Sequence, residues 1–265
     1  MSWSTVDFSA FPHEREVKLR SIKRYSMFSV MLYRSHLWIH SHRVHWIVEA
    51  LTADALRTIS FDPEKARVLA LVHDDAEMVT GDIQAGHKAK MSAAELAALE
   101  EDEERAIDKL VAEMPREIGG YSYGDLLRHA VHKDCIEAQL VSYADRVDAY
   151  CDTLHEILAG NIAFVWSLLL YERWMSAYAT KYPALAPYLT AGESPFVIAN
   201  AIQQPRMVVP DAFVRFGRPH TRDSLTLPSD FPYYDAWRAL VSQRGGEEGI
   251  AFLTTAQETL PQPPL

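Results

Sequence analysis

Over most of the first 180 residues, apolar positions recur every three or four residues, which is the period of an amphipathic helix. Asp62 ahead of Pro63 predicts the start of a helix that runs on toward Gly81. Ser92 and Glu95 have the spacing of a capping box and predict the start of another helix. These signals favour a core made of successive helices.

The same period continues after the middle of the chain. Apolar residues from Ile136 to Leu158 form one sustained stripe, and a further apolar helix is predicted from Ile162 toward Tyr178. Asp148 and Asp152 are expected on the solvated face of the first of these helices. Because no alternating apolar and polar pattern precedes Pro183, the predicted fold class is all-α.

The composition changes at Pro183. The remaining segment holds most of the 14 prolines of the chain, interleaved with aromatic residues. We therefore predict a helical core over residues 1–182 and a Pro- and aromatic-rich C-terminal extension over residues 183–265. The aromatic content predicts that this extension packs on the core.

Charge and cysteine usage narrow the range of partners. The formal net charge is −10 and the sequence pI is about 5.5, which disfavours binding to nucleic-acid polymers, since such proteins need clustered cations. Only two cysteines occur, and this predicts a reducing, cytoplasmic compartment. The longest apolar run is too short to span a bilayer, so no membrane partner is expected.

The segment from Leu71 to Asp82 carries the clearest chemical signal. His73 and Asp74 stand side by side in an apolar helix, with Glu77 one turn further on. A charge in such surroundings must be paired or bound to a metal, because its desolvation alone is very costly. The alternative is a buried His–Asp hydrogen bond without a metal.

Further candidate ligands lie in other predicted helices. Residues 36–45 contain four of the eleven histidines, and Asp145 lies beside the later apolar stripe. Two imidazoles and two carboxylates suit one divalent transition ion such as Mn, Co, Fe, Ni or Zn. The four histidines of this segment all remain candidates on spacing alone; they are His36, His40, His42 and His45.

Four motifs, in order along the chain, resemble those of the HD-domain phosphohydrolases, and within them the 5′-deoxynucleotidase group. They are Arg24-Tyr25, His40-Ser41, His73-Asp74 with Glu77 and Thr80-Gly81-Asp82, and Ala144-Asp145. The resemblance covers about residues 15–175. It implies an HD-domain helical bundle, commonly a homodimer.

The resemblance also implies roles for individual residues. The four metal ligands would be His40, His73, Asp74 and Asp145. The three other histidines of residues 36–45 would be exposed or lie outside the ligand set; these are His36, His42 and His45. Glu77 would be the acid/base residue, and Asp82 would act beside it. Arg24 would bind phosphate, Tyr25 and Asp82 would contact the deoxyribose, and Lys88 is either a surface lysine or a phosphate contact.

The implied function is hydrolysis of a deoxyribonucleoside 5′-monophosphate to a nucleoside and phosphate. One alternative is a triphosphohydrolase that releases tripolyphosphate from a dNTP, and another is a non-catalytic regulatory module that binds metal and nucleotide. Two departures from the group concern substrate choice. Tyr25 stands where the group usually has Trp, and residues 84–88 lack its usual Pro-x-Pro before the lysine.

Overall fold

A computed structural model of the chain describes residues 6–31, 34–88, 90–158 and 164–190. Within these residues the secondary structure is almost entirely helical, so the predicted all-α class is confirmed. The helices are α1 (His13–Ser21), α2 (Leu37–Ala55), α3 (Pro63–Val72), α4 (Glu77–Thr80), α5 (Ala85–Lys88), α6 (Ala93–Glu113), α7 (Tyr123–His132), α8 (Ile136–Leu158), α9 (Val165–Ser176), α10 (Tyr178–Lys181) and α11 (Ala186–Thr190).

The described residues form two compact units. The first combines the described residues within 6–28, 34–49 and 60–144, and the second combines those within 29–31, 50–59 and 145–190. In the first unit α6 packs against α7 and α4, and α7 also packs against α3. In the second unit α10 contacts both α9 and α11.

The two helix starts predicted from capping residues are confirmed. The Asp62 carboxylate accepts hydrogen bonds from the backbone N–H groups of Glu64 (3.0 Å) and Lys65 (3.1 Å) at the start of α3. Ser92 and Glu95 form a complete capping box at the start of α6. Both sets of contacts satisfy amide groups that the first helical turn leaves without intrahelical partners.

The helix predicted to run to Gly81 is interrupted. Helix α3 ends at Val72, and the chain continues with hydrogen bonds between residues three apart, from Asp75 N to Val72 O (2.9 Å) and from Glu77 N to Asp74 O (3.0 Å). The carbonyl of Leu71, which the Asp75 amide would use in a regular helix, instead accepts a hydrogen bond from the Arg15 guanidinium (2.8 Å). The tighter turn therefore coincides with a side-chain contact to the last turn of α3.

A short hairpin, which the sequence pattern did not predict, joins α6 to α7. Strands β1 (Glu117–Ile118) and β2 (Tyr121–Ser122) pair antiparallel, with Ile118 opposite Tyr121. Gly119 and Gly120 form the turn with φ values of +58° and +85°, conformations that favour glycine. A Cβ atom at Gly119 would also lie only 2.7 Å from Val68 Cγ2.

The core of the first unit encloses a fully buried ion pair. The Arg15 guanidinium donates to both carboxylate oxygens of Asp75, at 2.7 and 2.8 Å, and the Tyr123 hydroxyl donates to the same carboxylate at 2.7 Å. Phe8 lies against the other side of the guanidinium, 4.5 Å from its ring centroid to Arg15 Cζ. Burial raises the pKa of Asp75 despite these partners.

Two acidic residues of α8 are not on a solvated face. Asp148 and Asp152 are 0% and 1% exposed, so their predicted exposure is wrong. Residues 147–153 of α8 are all buried, including Val147, Tyr150 and Cys151. A single apolar stripe therefore underestimates how much of this helix is enclosed.

The predicted extension over 183–265 lies mostly outside the described residues, which end at residue 190. Its packing on the core and the boundary at residue 183 stay predictions. Among the described helices, none combines the length and the apolar character needed to cross a membrane.

We expect Arg15→Leu to lower the free energy of unfolding by ~3–5 kcal/mol, because the variant leaves the Asp75 carboxylate buried without its cation. Urea unfolding measures the loss, and Arg20→Leu, which removes an exposed ion pair with Glu16, should cost less than ~1 kcal/mol. The difference in free energy of unfolding between wild type and Arg15→Leu should shrink as the pH falls, because a protonated Asp75 carboxyl group needs no cation beside it. Equal losses in the two variants would contradict the assignment.

Candidate functional site

The tight turn after α3 presents the two residues of the His-Asp motif. The His73 ring is held by a hydrogen bond between Nδ1 and the carbonyl of Ala70 (2.8 Å). Since a carbonyl only accepts, Nδ1 carries the proton, and Nε2 presents a lone pair. That Nε2 atom is buried and has no hydrogen-bond partner among the described residues.

Helix α2 brings His40 to the same place. His40 is 1% exposed, and its Nε2 atom lies 3.2 Å from Asp74 Oδ2. His73 Nε2 lies 3.3 Å from Asp74 Oδ1. One donor atom from each of the three side chains lies within 4.8 Å of the other two, as required for ligands of one metal ion.

The chemistry of these atoms fits a cation. The Asp74 carboxylate can only accept, and the lone pair of His73 Nε2 faces it at 3.3 Å. Two acceptors at this distance repel each other unless a proton or a metal ion lies between them. The Nδ1 contact to a backbone carbonyl is the arrangement that orients metal-binding imidazoles in proteins. His40, His73 and Asp74 are therefore candidate metal ligands.

A second group of possible ligands, formed by His129, Asp134 and Cys135, is less suited to a metal. The His129 Nδ1 atom is already hydrogen-bonded to Asp134 at 2.6 Å. The Lys65 ammonium lies 3.6 Å from the Cys135 sulfur, so a cation is already present at the thiol. Burial also raises the Cys135 pKa, which disfavours the thiolate that binds metals.

Glu77 begins α4 one turn beyond the His-Asp pair. Its Oε2 atom is buried and has no hydrogen-bond partner among the described residues. Burial, followed by the nearby carboxylates of Asp74 and Asp82, raises the pKa of Glu77 well above its ordinary value, while Lys88 and Arg24 act in the opposite direction. A carboxyl group whose pKa is raised in this way is a candidate for proton transfer.

A backbone pairing places Arg24 beside the start of α2. The Arg24 amide donates to Ser35 O (3.1 Å), the Leu37 amide donates to Ile22 O (3.1 Å), and Lys23 forms a bridge with His36. The Arg24 side chain is 9% exposed, and its guanidinium carbon lies 5.2 Å from the centroid of the Tyr25 ring. Residues 35–37, at the entry to α2, thus hold the backbone on both sides of Lys23 and Arg24.

Gly81 ends α4 with a φ of +80° and directs the chain into the Asp82 loop. At the end of that loop, Lys88 donates to Glu103 of α6 at 2.8 Å and is 37% exposed. Lys88 therefore combines an ion pair on the surface with an electrostatic effect on Glu77.

Residues 16–178, more than half of the chain, match the 5′-deoxynucleotidase YfbR-like family. The chain belongs to this family. The YfbR-like family is a family of hydrolases, and its match covers all the candidate site residues described above.

Two relatives illustrate the similarity. The 5′-deoxynucleotidase VP0926 of Vibrio parahaemolyticus is 31% identical over 128 residues, which are 47% of this chain and 64% of that protein. A 5′-deoxynucleotidase of Cronobacter sakazakii is 33% identical over 153 residues, which are 56% of this chain and 73% of that protein. The chain thus spans slightly less than two thirds of the first relative and more than two thirds of the second.

The fold resembles a solved structure. The crystal structure of an HD-domain phosphohydrolase from Listeria innocua superposes with a TM-score of 0.52 and 19% sequence identity, covering 93% of this chain and 96% of that one. Together with the helical element order, this confirms the predicted HD-domain helical bundle.

The structure brings three of the four ligands that family resemblance implies, His40, His73 and Asp74, within reach of one ion. Asp145 belongs to the second unit, where its carboxylate lies 3.7 Å from the Arg146 guanidinium. The Arg146 guanidinium in turn lies 5.3 Å from the centroid of the Trp174 ring.

The other histidines of residues 36–45 have local roles. His36 Nδ1 accepts from the Ile39 amide (3.3 Å) in the first turn of α2. His42 and His45, which were expected to be exposed or to lie outside the ligand set, are 8% and 7% exposed, with Nδ1 contacts to the carbonyls of Trp38 and Arg67. Burial lowers the pKa of His42 to about 4, so its neutral form is favoured.

Sequence reasoning missed Asp75, which follows the His-Asp pair and is bound by Arg15. The signal was available, since a third charge in an apolar helix also requires a partner. It also missed Gln84 and Arg34, whose contacts with residues 24–28 no motif indicates.

We expect a divalent transition ion to stabilise this YfbR-like chain by about 2.7 kcal/mol at a free concentration of 100 Kd. Thermal unfolding of the metal-free protein with added Mn²⁺ or Co²⁺ measures the effect. His73→Ala should lose it, because the variant lacks the lone pair that faces Asp74, while the control His129→Ala should retain it. If only His129→Ala lost the stabilisation by metal, the metal site would be assigned instead to the group of His129, Asp134 and Cys135.

Proposed function

We propose that this protein is a metal-dependent nucleotide phosphohydrolase that converts deoxyribonucleoside 5′-monophosphates to nucleoside and phosphate. The observation that carries the proposal is the close approach of buried His73 Nε2 to the Asp74 carboxylate, 3.3 Å, with buried Glu77 one turn away. The names of the Vibrio and Cronobacter relatives support the choice of a deoxynucleotide substrate.

His40, His73 and Asp74 would hold the ion, and the resemblance adds Asp145 as the fourth ligand. A bound divalent ion of Mn, Co, Fe, Ni or Zn supplies Lewis acidity, which polarises a phosphoryl oxygen and makes water a stronger acid. The mixed imidazole and carboxylate set suits any of these metals. The homodimer and the cytoplasmic location that the sequence implied stay predictions.

The cations near Glu77 fit the charge of the substrate. Arg24 offers a planar guanidinium, which binds phosphate oxygens in pairs, and Lys88 adds a second positive charge. Both residues lie close enough to lower the pKa of Glu77. Tyr25, beside Arg24, and Asp82, at the start of the next loop, would contact the sugar.

Glu77 would move the proton. Its carboxylate would take a proton from the attacking water, and the protonated carboxyl would return it to the 5′ oxygen of the leaving nucleoside. The P–O bond to that oxygen breaks as the bond from phosphorus to the water oxygen forms, so the products are a nucleoside and inorganic phosphate. Asp82 would act beside Glu77, since its charge favours the protonated form.

A release screen over dNMPs, NMPs and dNTPs with Mn²⁺, Co²⁺, Ni²⁺, Zn²⁺ and Mg²⁺ tests the proposal. Inorganic phosphate from dNMPs is the expected product. Tripolyphosphate from dNTPs would instead identify a triphosphohydrolase. Nucleotide binding without any hydrolysis across all five metals would identify a regulatory module.

We expect Glu77→Gln to lower kcat by about 10²–10⁴-fold, because the amide cannot exchange a proton between water and the leaving group. The variant should still bind the metal, since His40, His73 and Asp74 are unchanged. Elemental analysis after gel filtration checks the metal, and Glu113→Gln on the exposed end of α6 serves as the control. A kcat near that of the wild type would assign Glu77 a structural role.

We expect Tyr25→Trp to sharpen the preference for the deoxy sugar. Tyr25 has the smaller ring system and a phenol that can hydrogen-bond a 2′-hydroxyl, so the natural residue should tolerate ribose better. A contact of this kind changes discrimination by about 10–200-fold. The measurement is kcat/KM for dAMP against AMP in both proteins, and an unchanged ratio would mean that position 25 does not read the sugar.

A further inference from the structure

The turn that carries Arg24 and Tyr25 has a strained backbone. Tyr25 has a φ of +57°, in the left-handed region, where a side chain with a Cβ atom costs about 1–2 kcal/mol per residue. Its ring is nevertheless only 5% exposed and lies edge-on to Phe28, 6.3 Å between centroids. Such strain persists only when the surrounding structure holds it in place.

Gln84 contacts this turn from the Asp82 loop. In the amide orientation that satisfies the neighbouring donors, the Gln84 side-chain oxygen accepts from the backbone N–H groups of Tyr25 (3.2 Å) and Met27 (3.1 Å) and from that of Ser26 between them. The Ser26 hydroxyl also donates to this oxygen at 3.1 Å. One oxygen thus faces three consecutive amides.

Arg34 contacts the same turn through its carbonyl groups. Its guanidinium donates to the carbonyl oxygens of Arg24 (3.1 Å) and Tyr25 (2.6 Å), and also to that of Phe28. The amides of the turn are therefore bound by Gln84 and its carbonyls by Arg34. Each set replaces hydrogen bonds to water that a free loop would make, and so favours this one backbone conformation.

We propose that Gln84 is a positioning residue for substrate binding: through its side-chain oxygen it holds the Arg24-Tyr25 turn in the conformation that receives the nucleotide. The inference rests on the proposed function, because Arg24 and Tyr25 are there assigned to phosphate and sugar. Substrate affinity would then depend on residue 84, which belongs to the segment where this chain lacks the related group's Pro-x-Pro sequence.

The expected kinetic effect follows from the population of the turn. Without the Gln84 oxygen, only a fraction of molecules have the receptive conformation, and the apparent affinity falls by that fraction. We expect Gln84→Ala to raise KM for a dNMP about tenfold and to leave kcat within about twofold, since bound substrate restores the turn. His87→Ala, an exposed neighbour in α5, should change neither constant.

Hydrogen exchange measured by mass spectrometry provides a test that does not depend on catalysis. Peptides covering residues 24–28 should exchange faster in Gln84→Ala than in wild type or His87→Ala. In Gln84→Glu they should stay protected, because the carboxylate keeps an acceptor at the same reach. Thermal unfolding should be nearly the same in all four proteins.

Unchanged exchange in Gln84→Ala would overturn the proposal. So would a fall in KM, because it would mean that Gln84 occupies an anion site formed by the three amides and competes with phosphate. If wild type hydrolyses no nucleotide while exchange follows the expected pattern, the proposed function fails and the holding role of Gln84 stands without its link to substrate.

Discussion

The buried pair of Arg15 and Asp75 is the interaction on which the candidate site depends. Both groups are almost completely removed from water, and they remain charged partners only because each is satisfied on several sides. The guanidinium also binds the Leu71 carbonyl. Through this third contact, Arg15 joins α1 to the last turn of α3 as well as to the residue that follows the His-Asp pair.

The His-Asp motif lies directly beside this contact. His73 and Asp74 belong to the turn between α3 and α4, and one donor atom from each lies within 4.8 Å of a donor atom of His40. Glu77 follows as the first residue of α4. Asp75, which Arg15 binds, comes immediately after the candidate ligand Asp74, so the ion pair anchors the segment that carries the candidate site.

Local sequence signals predicted the helices well, because they act within a few residues. Asp62 and Ser92 cap the helices that their spacing indicated, and the stripe from Ile136 to Leu158 forms one helix. Contacts between residues that are far apart in the chain could not be predicted from such local signals. The contact between Arg15 and the end of α3 joins residues that are 56 positions apart. The burial of Asp148 and Asp152 depends on packing that a stripe pattern does not describe.

In the candidate site, too, local sequence signals predicted some residues, whereas contacts between distant residues could not be predicted. The adjacency of His73 and Asp74 in an apolar segment was enough to predict a polar centre, since buried charge always needs a partner. The left-handed backbone conformation of Tyr25 could not be predicted from the sequence. Tyrosine has no preference for that conformation, and the groups that hold it come from elsewhere in the chain. Gln84 lies 59 residues after Tyr25, and the residues around it do not indicate a contact between the two. Residues that hold a backbone, such as Gln84 and Arg34, are thus found from the hydrogen bonds of the structure, whereas the adjacent charges of His73 and Asp74 are found from the sequence.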